Sequence, residues 1–394
     1  LPEVPLLAVL PGTGGLTRIT DKRKLRRDRA DIFCSTEEGI KGRRAQDWGL
    51  VDEVIANSTF EETVTKKALD FVDQSKKADI KNGIKLGPLN KSIAEDGSLT
   101  YSTIQVELDR STRNATLTIN GPEKAAPKNM EEFELQGDQA YLLRMARELD
   151  DAILHLRFNE PNLGLWIFRS QGDPKLLRAH EDLLMQNANH WLANEVRQYL
   201  KRILKRVDVT SRSMIALIEH GSCFAGVLAE LLFAVDRTYM MEDEFENDPR
   251  PIATITLSDD NFGMYQMANG LSRIATRFWG ANHLIEDAQE KIGKPLEAAE
   301  AEDLGLVTII LDDIDWEDEL RIFAEERASY SPDAMTGMEA NLRFVGPETM
   351  ETRIFGRLTA WQNWIFTRPN AVGADGALQR YGSGKRGNYN MDRV

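Results

Sequence analysis

NGLSRIA, residues 269–275, repeats GGLTRIT, residues 14–20. Gly15, Leu16, Arg18 and Ile19 return as Gly270, Leu271, Arg273 and Ile274, an offset of 255 positions. Working outward, RAQDWGLVDEVI (44–55) meets EAEDLGLVTIIL (300–311), where Gly49, Leu50 and Val51 return as Gly305, Leu306 and Val307, an offset of 256. A lone GLV would mean nothing, but two separate matches at nearly one offset are hard to obtain by chance. The spacing far exceeds the roughly 20–50 residues of stacked repeats, so the pattern is a duplicated domain. The expected organisation is residues 1–80 as the C-terminal part of a first unit, 81–100 as a connection and 101–394 as a second unit. The same offset implies that about 150 residues of the first unit lie upstream of Leu1.

The local text reads as α/β. IQVELDRS (104–111) and ATLTINGPE (115–123) alternate apolar and polar positions, as half-buried strands do. DQAYLLRMARELDDAILHLRF (138–158) spaces its apolar residues as an amphipathic helix. GLWIFRS (164–170) reads as a buried strand, 174–206 as a long helical stretch, SMIALIEHG (213–221) as strand into turn and AGVLAELLFAVD (225–236) as a helix. Strands alternating with helices imply crossover connections. In the first unit FEETVTKKALDFVDQ (60–74) places acids before lysines, which suits a helix dipole.

Composition narrows the function. The chain has 394 residues and a formal net charge of −14, which argues against bulk nucleic-acid binding. Cys34 and Cys223 form no CxxC, and the five histidines make no HExxH or other ligand spacing, so neither a disulfide scaffold nor a metal site is expected. No apolar run approaches the ~20 residues of a membrane span. A cytoplasmic homo-oligomer without membrane or nucleic-acid partners is expected.

At this point the text resembles the crotonase (enoyl-CoA hydratase/isomerase) superfamily. TLTINGPE resembles that family's opening strand and turn, IALIEHGSCFAGVLAELLFAVD (215–236) its A-x-V-N-G-x-A-x-G-G-G-x-E block, and GLSRIATRFWG its G-G-x-x-R helix. EAEDLGLV and the C-terminal GADGALQRYGSGKRGNY follow its later blocks. LPEVPLLAVLPGTGGLTR (1–18) resembles its P-E-x-x-L-G-x-x-P-G-x-G-G-x-x-R signature. The resemblance implies two fused crotonase-like units of ββα spiral architecture, the first lacking its N-terminal part, and closest to a ring-opening branch acting on an oxidised aromatic CoA thioester. Water would add, the ring would open, and formate and an aliphatic semialdehyde-CoA would leave. CoA would enter as part of the substrate, with no separate cofactor and no metal.

Crotonase chemistry needs a pair of backbone N–H donors to hold the thioester oxygen as it becomes an enolate, and a carboxylate to move protons. The resemblance makes Glu3 that carboxylate, with a partner glutamate and an oxyanion glycine expected upstream of Leu1. The competing reading is a surface glutamate after Pro2. Pro11, Gly12, Gly14 and Gly15 form either a ligand-facing helix start or, the favoured role, a tight structural turn. The basic run from Asp21 to Arg29 could approach CoA phosphates, but a solvated face is the plainer reading. Lys385 falls on the family's K-R end, where a lysine approaches the nucleotide part of CoA, and is equally a solvent-exposed end. Gly226 survives from the G-G-G core and could offer an N–H. Glu230 aligns with the family glutamate only through one inserted residue, the P-E position falls near Met264–Tyr265 without a carboxylate, and the usual F-x-A-G-x-D loop becomes Phe168 to Asp173. The second unit is therefore expected to be catalytically degenerate, with His220 and Cys223 as packing residues. An ordinary enoyl-CoA hydratase or isomerase and a non-catalytic assembly subunit remain as alternatives.

Overall fold

The computed structural model describes residues 1, 3–75, 83–242 and 249–393. It divides into two compact units, Leu1–Asn82 and Gly83–Val394. Residues 76–82, which include the expected end of the first unit and the start of the connection, lie outside the described residues.

The first unit is built of helices and connecting turns, with no strand among its described residues. Its helices include α1 (Glu3–Leu7), α2 (Arg27–Ser35), α3 (Gly42–Asp47) and α4 (Phe60–Asp73). Glu61 and Glu62 occupy the first turn of α4, where the partial positive charge of a helix start favours them. The buried apolar side chains are Leu25, Ala30, Cys34 and Ala45, whereas Leu6, Leu7, Phe60, Leu69 and Phe71 are exposed. Helix α3 closes on Gly49, whose φ of +75° suits a residue without Cβ. The Gly49 N–H donates to the Gln46 carbonyl at 2.8 Å and the Leu50 N–H to Ala45 at 2.9 Å.

The second unit is a mixed α/β body around an eight-stranded sheet in the order β1-β2-β3-β4-β5-β6-β8-β11. Its antiparallel half comprises β1 (Ser92–Ile93), β2 (Leu99–Thr100), β3 (Ile104–Asp109) and β4 (Asn114–Asn120). From β4 the ladder runs parallel through β5 (Leu165–Gln171), β6 (Ser213–Ile218), β8 (Arg237–Met241) and β11 (Ile309–Leu311). Every residue of β6 is buried, as expected of a parallel strand covered on both faces. One face carries α5 (Tyr141–Asn159), α6 (Pro174–Gln186) and α7 (Trp191–Asp208), joined in one core with Leu117, Phe168 and Trp166. A smaller cluster of Leu165, Ile215, Leu217, Tyr239, Trp316 and Phe323 packs the sheet against α11 (Asp313–Ser329).

Three expectations change. Residues 83–100, expected within the connection, belong to the second unit, because β1 and β2 extend its sheet. The helical stretch 174–206 breaks into α6 and α7 across a turn in which the His190 N–H donates to Asn187 at 2.8 Å. The helix expected over 225–236 begins late. Phe224–Ala225 (β7) is a strand, Gly226 at φ +50° turns the chain, and only Ala229–Ala234 (α8) is α-helix. In a second, three-stranded sheet β7 pairs with β9 (Ile255–Thr256), and β9 with β10 (Pro295–Leu296). Further along are α9 (Arg273–Arg277), α10 (Ala298–Asp303) and α12 (Pro332–Leu342).

Helix α10 starts and ends 256 positions after α3 does. It closes on Gly305 at φ +68°, with the Gly305 N–H on Glu302 at 2.7 Å and the Leu306 N–H on Ala301 at 2.9 Å. The duplicated text therefore folds into the same helix and the same cap twice. No helix among the described residues is long and apolar enough to cross a membrane.

Candidate active site

Glu3 opens α1 and is half-buried. Its Oε2 is shielded from solvent with no hydrogen-bond partner among the described residues. Buried carboxylate oxygens are mostly paired, so this one stands out. Burial first, with the Glu3 charge among the lesser causes, pushes the nearby Cys34 thiol up. The turn after α1 is closed by the Pro11 carbonyl, which accepts from the Gly14 N–H at 2.9 Å and the Gly15 N–H at 3.4 Å. Gly14 sits at φ +93°, and a Cβ on Gly15 would lie 3.1 Å from the Pro11 ring. Gly12 has open space around it. In the basic run, Arg23 pairs with Asp52 at 2.7 Å and Arg26 with Asp28 at 2.6 Å, both on the surface.

In the second unit the matching positions are filled by packed polar groups. The offset of 255 carries Glu3 to Ser258. Ser258 has no acid of its own, but one reaches it from α6: the Ser258 hydroxyl donates to Glu181 Oε1 at 3.3 Å. The other oxygen, Oε2, pairs with Arg178 and occupies the open face of Gly226, where a Cβ would stand 1.8 Å from it. Burial pushes the Glu181 carboxyl up to about 7 against the pull of Arg178. The Gly226 carbonyl accepts from Asn261 Nδ2 at 3.0 Å. Glu230, fully buried, accepts from Asn261 at 2.8 Å and from Arg273 at 2.7 Å. Burial likewise pushes Glu230 up to about 7, with Arg273 and Asn261 opposing. Arg273 also grips Asp208 through two hydrogen bonds of 2.9 and 2.7 Å. Glu230 thus lies inside a buried ion network.

The loop from Phe168 to Asp173 is similarly occupied. The Gly172 N–H donates to the Gly221 carbonyl at 3.1 Å, and the Asp173 side chain caps α6 through the Lys175 N–H at 2.7 Å. Cys223 packs beside it, its N–H on Ser170 Oγ at 2.9 Å, and burial pushes its thiol up to about 12, which makes it a poor nucleophile. His220 is buried at the rim of a cleft of about 960 Å³ that also takes in Lys175, Arg178 and Thr256. A second cleft, about 950 Å³, lies against the turn Pro122–Ala125 and shares Gln171–Asp173 with the first. Lys385 is exposed, with its backbone N–H on Ser383 Oγ at 3.3 Å, and lines neither cleft.

No family model matches the chain. Against the benzoyl-CoA-dihydrodiol lyase of Aromatoleum evansii it is 49% identical over 395 residues, an alignment that spans 100% of this chain and 70% of that protein. The chain belongs to the benzoyl-CoA-dihydrodiol lyase family. Among solved structures, the enoyl-CoA hydratase of Geobacillus kaustophilus HTA426 superposes with a TM-score of 0.54 at 16% identity, covering 75% of this chain and 98% of that one. The enoyl-CoA hydratase of Bacillus anthracis gives 0.51 at 17% identity, covering 74% and 100%. At those identities the likeness is one of fold: this lyase-family chain shares the fold of the two enoyl-CoA hydratases.

The residue that sequence reasoning passed over is Glu181. Its signal was present: Leu177, His180, Glu181 and Leu184 recur at helical spacing and are all buried, so a carboxylate stands on the apolar stripe of α6. An acid on such a stripe is either paired or functional.

Proposed function

We propose that the protein is a carbon–carbon lyase that opens the ring of 2,3-oxidised benzoyl-CoA. The carrying observation is the 49% identity to a benzoyl-CoA-dihydrodiol lyase along the whole chain. Water adds to the oxidised ring, the two ring C–C bonds of one oxidised carbon break, that carbon leaves as formate and an aliphatic semialdehyde-CoA remains. Atom balance requires two waters for the 2,3-epoxide and one for the dihydrodiol. Water is the only co-reactant, and CoA is carried in by the substrate.

Glu3 is the residue assigned to proton transfer. Its shielded Oε2 has no competing hydrogen bond among the described residues, which supports a group kept free to exchange a proton. The turn through Pro11, Gly14 and Gly15 fixes the chain that follows α1. The second unit, in this reading, is a fused copy without chemistry of its own. The matched helices and caps at an offset of 256 support the duplication. The Glu181 carboxylate over Gly226 and the engaged Gly172 N–H support the loss of its thioester site. Lys385 is assigned to the nucleotide end of CoA.

In the full-length protein, Glu3→Gln is expected to abolish formate release from the oxidised benzoyl-CoA while leaving binding of the CoA ester within about twofold, since proton transfer by a placed side chain is typically worth about 100- to 10,000-fold. Unchanged turnover in the variant would remove Glu3 from the mechanism. Hydration of crotonyl-CoA without any formate from the benzoyl ester would replace the lyase assignment with that of an ordinary hydratase.

A further inference from the structure

The proposed chemistry makes no use of the arginines gathered where β8 meets α9, α11 and α12. A cleft of about 450 Å³ opens there, within the range of small-molecule sites. Arg237, Arg277, Arg327 and Arg343 line it, and Asp236 and Glu339 are the carboxylates among its lining residues. Arg273 also reaches the wall, but Asp208 and Glu230 neutralise it from behind.

The charges do not balance. Asp236 holds Arg343 through hydrogen bonds of 2.9 and 2.8 Å and lies 3.8 Å from Arg327. Glu339 is held by Arg393 at 3.0 Å and lies 3.9 Å from Arg327 and 4.0 Å from Arg343. Two carboxylates therefore serve three guanidinium groups. Arg237 and Arg277 add two more cations, and neither has a carboxylate within ion-pair distance among the described residues. Arg237 stacks over Phe323 with its guanidinium carbon 4.8 Å from the ring centre. Arg277 donates Nε–H to the Gly305 carbonyl at 2.8 Å, and burial, with nothing opposing it, lowers its pKa. Partly buried cations without counter-charges are costly, so the cleft is short of negative charge. Its remaining wall is apolar, with Met267, Met338 and Leu342 prominent.

We propose that this cleft binds an organic carboxylate with a small apolar body, its carboxylate on Arg277 and Arg237 and its carbon portion against the methionines and Leu342. A guanidinium fork matches a carboxylate in paired hydrogen bonds, and the thioether and leucine wall favours carbon over water. The site is independent of Glu3, and its failure would leave the lyase reading untouched.

Benzoate titrated into the protein by calorimetry provides the test. One saturable site is expected, weakened about tenfold or more in Arg277→Gln and in Arg237→Gln, as the loss of a charge-assisted hydrogen bond implies. The second variant, whose arginine rests on Phe323, guards against a folding defect in the first. Glu3→Gln is expected to bind benzoate like the parent protein, and benzyl alcohol and inorganic phosphate to bind at least tenfold more weakly. No saturation by ~10 mM benzoate, a Kd range that would correspond to less than about 3 kcal/mol, overturns the proposal. So does binding by both arginine variants as tight as that of the parent protein, or phosphate binding as tight as benzoate, which would mark a bare anion site.

Discussion

Glu181→Gln turns the filled site of the second unit into a measurable pH dependence. Burial raises the Glu181 carboxyl from 4.5 to about 7, so between those values the folded chain holds a proton that the unfolded chain has released. Stability must then fall as pH rises through that window, because ionisation is easier once the chain unfolds. At about 1.4 kcal/mol per pH unit, the interval amounts to about 3 kcal/mol, fully felt above neutrality and relieved below pH ~4.5. Glutamine keeps the shape, the Ser258 contact and an oxygen for Arg178 but cannot titrate. Urea unfolding followed by tryptophan fluorescence, between about pH 4.5 and 8, reads the effect, since six of the seven tryptophans lie in Gly83–Val394. The parent protein is expected to lose about 3 kcal/mol relative to the variant on going from acid to alkaline pH. Parallel stability curves would show that Glu181 is ionised throughout and that Arg178 fully offsets its burial.

Two further substitutions probe the same region. Gly226→Ala adds a Cβ at φ +50° and 1.8 Å from Glu181 Oε2, and should cost at least about 2 kcal/mol in urea, combining backbone strain with displacement of a buried carboxylate; a loss below about 0.5 kcal/mol would mean that Glu181 moves freely. Arg273→Met leaves Asp208 and Glu230 buried without their shared cation, for which about 3–5 kcal/mol of destabilisation is expected in the same assay. Part of that loss should return at low pH, as Glu230, already raised to about 7, takes up a proton.

Much of the architecture could be read in advance because it has a period. Strands such as Ile104–Asp109 and Asn114–Asn120 alternate, and Tyr141–Asn159 keeps its apolar face in register for nineteen residues. The three-stranded sheet could not be read this way, because Phe224–Ala225, Ile255–Thr256 and Pro295–Leu296 are each too short to show any period. The same shortness let the text 225–236 pass for one helix. Within the candidate site, Glu3 and the Pro11–Gly15 turn stood out because they are contiguous. Arg273 with Asp208 and Glu230 did not, since its partners lie 65 and 43 positions away and only folding makes them neighbours. Glu181 stands on the apolar stripe of α6, but its contacts with Gly226 and Ser258 join positions far apart in the sequence.

The contact between Glu181 and Gly226 also bears on how the chain can change over time. With the Glu181 carboxylate packed on the face of Gly226, a side chain at position 226 cannot be accommodated by a change there alone. At least two positions, on α6 and at Gly226, would have to change together, and the intermediate with only one altered would be less stable than either end state. Arg178, Glu181 and Gly226 are thereby constrained as one group, although they lie on different elements. A single substitution at either position is resisted, so change there comes in pairs.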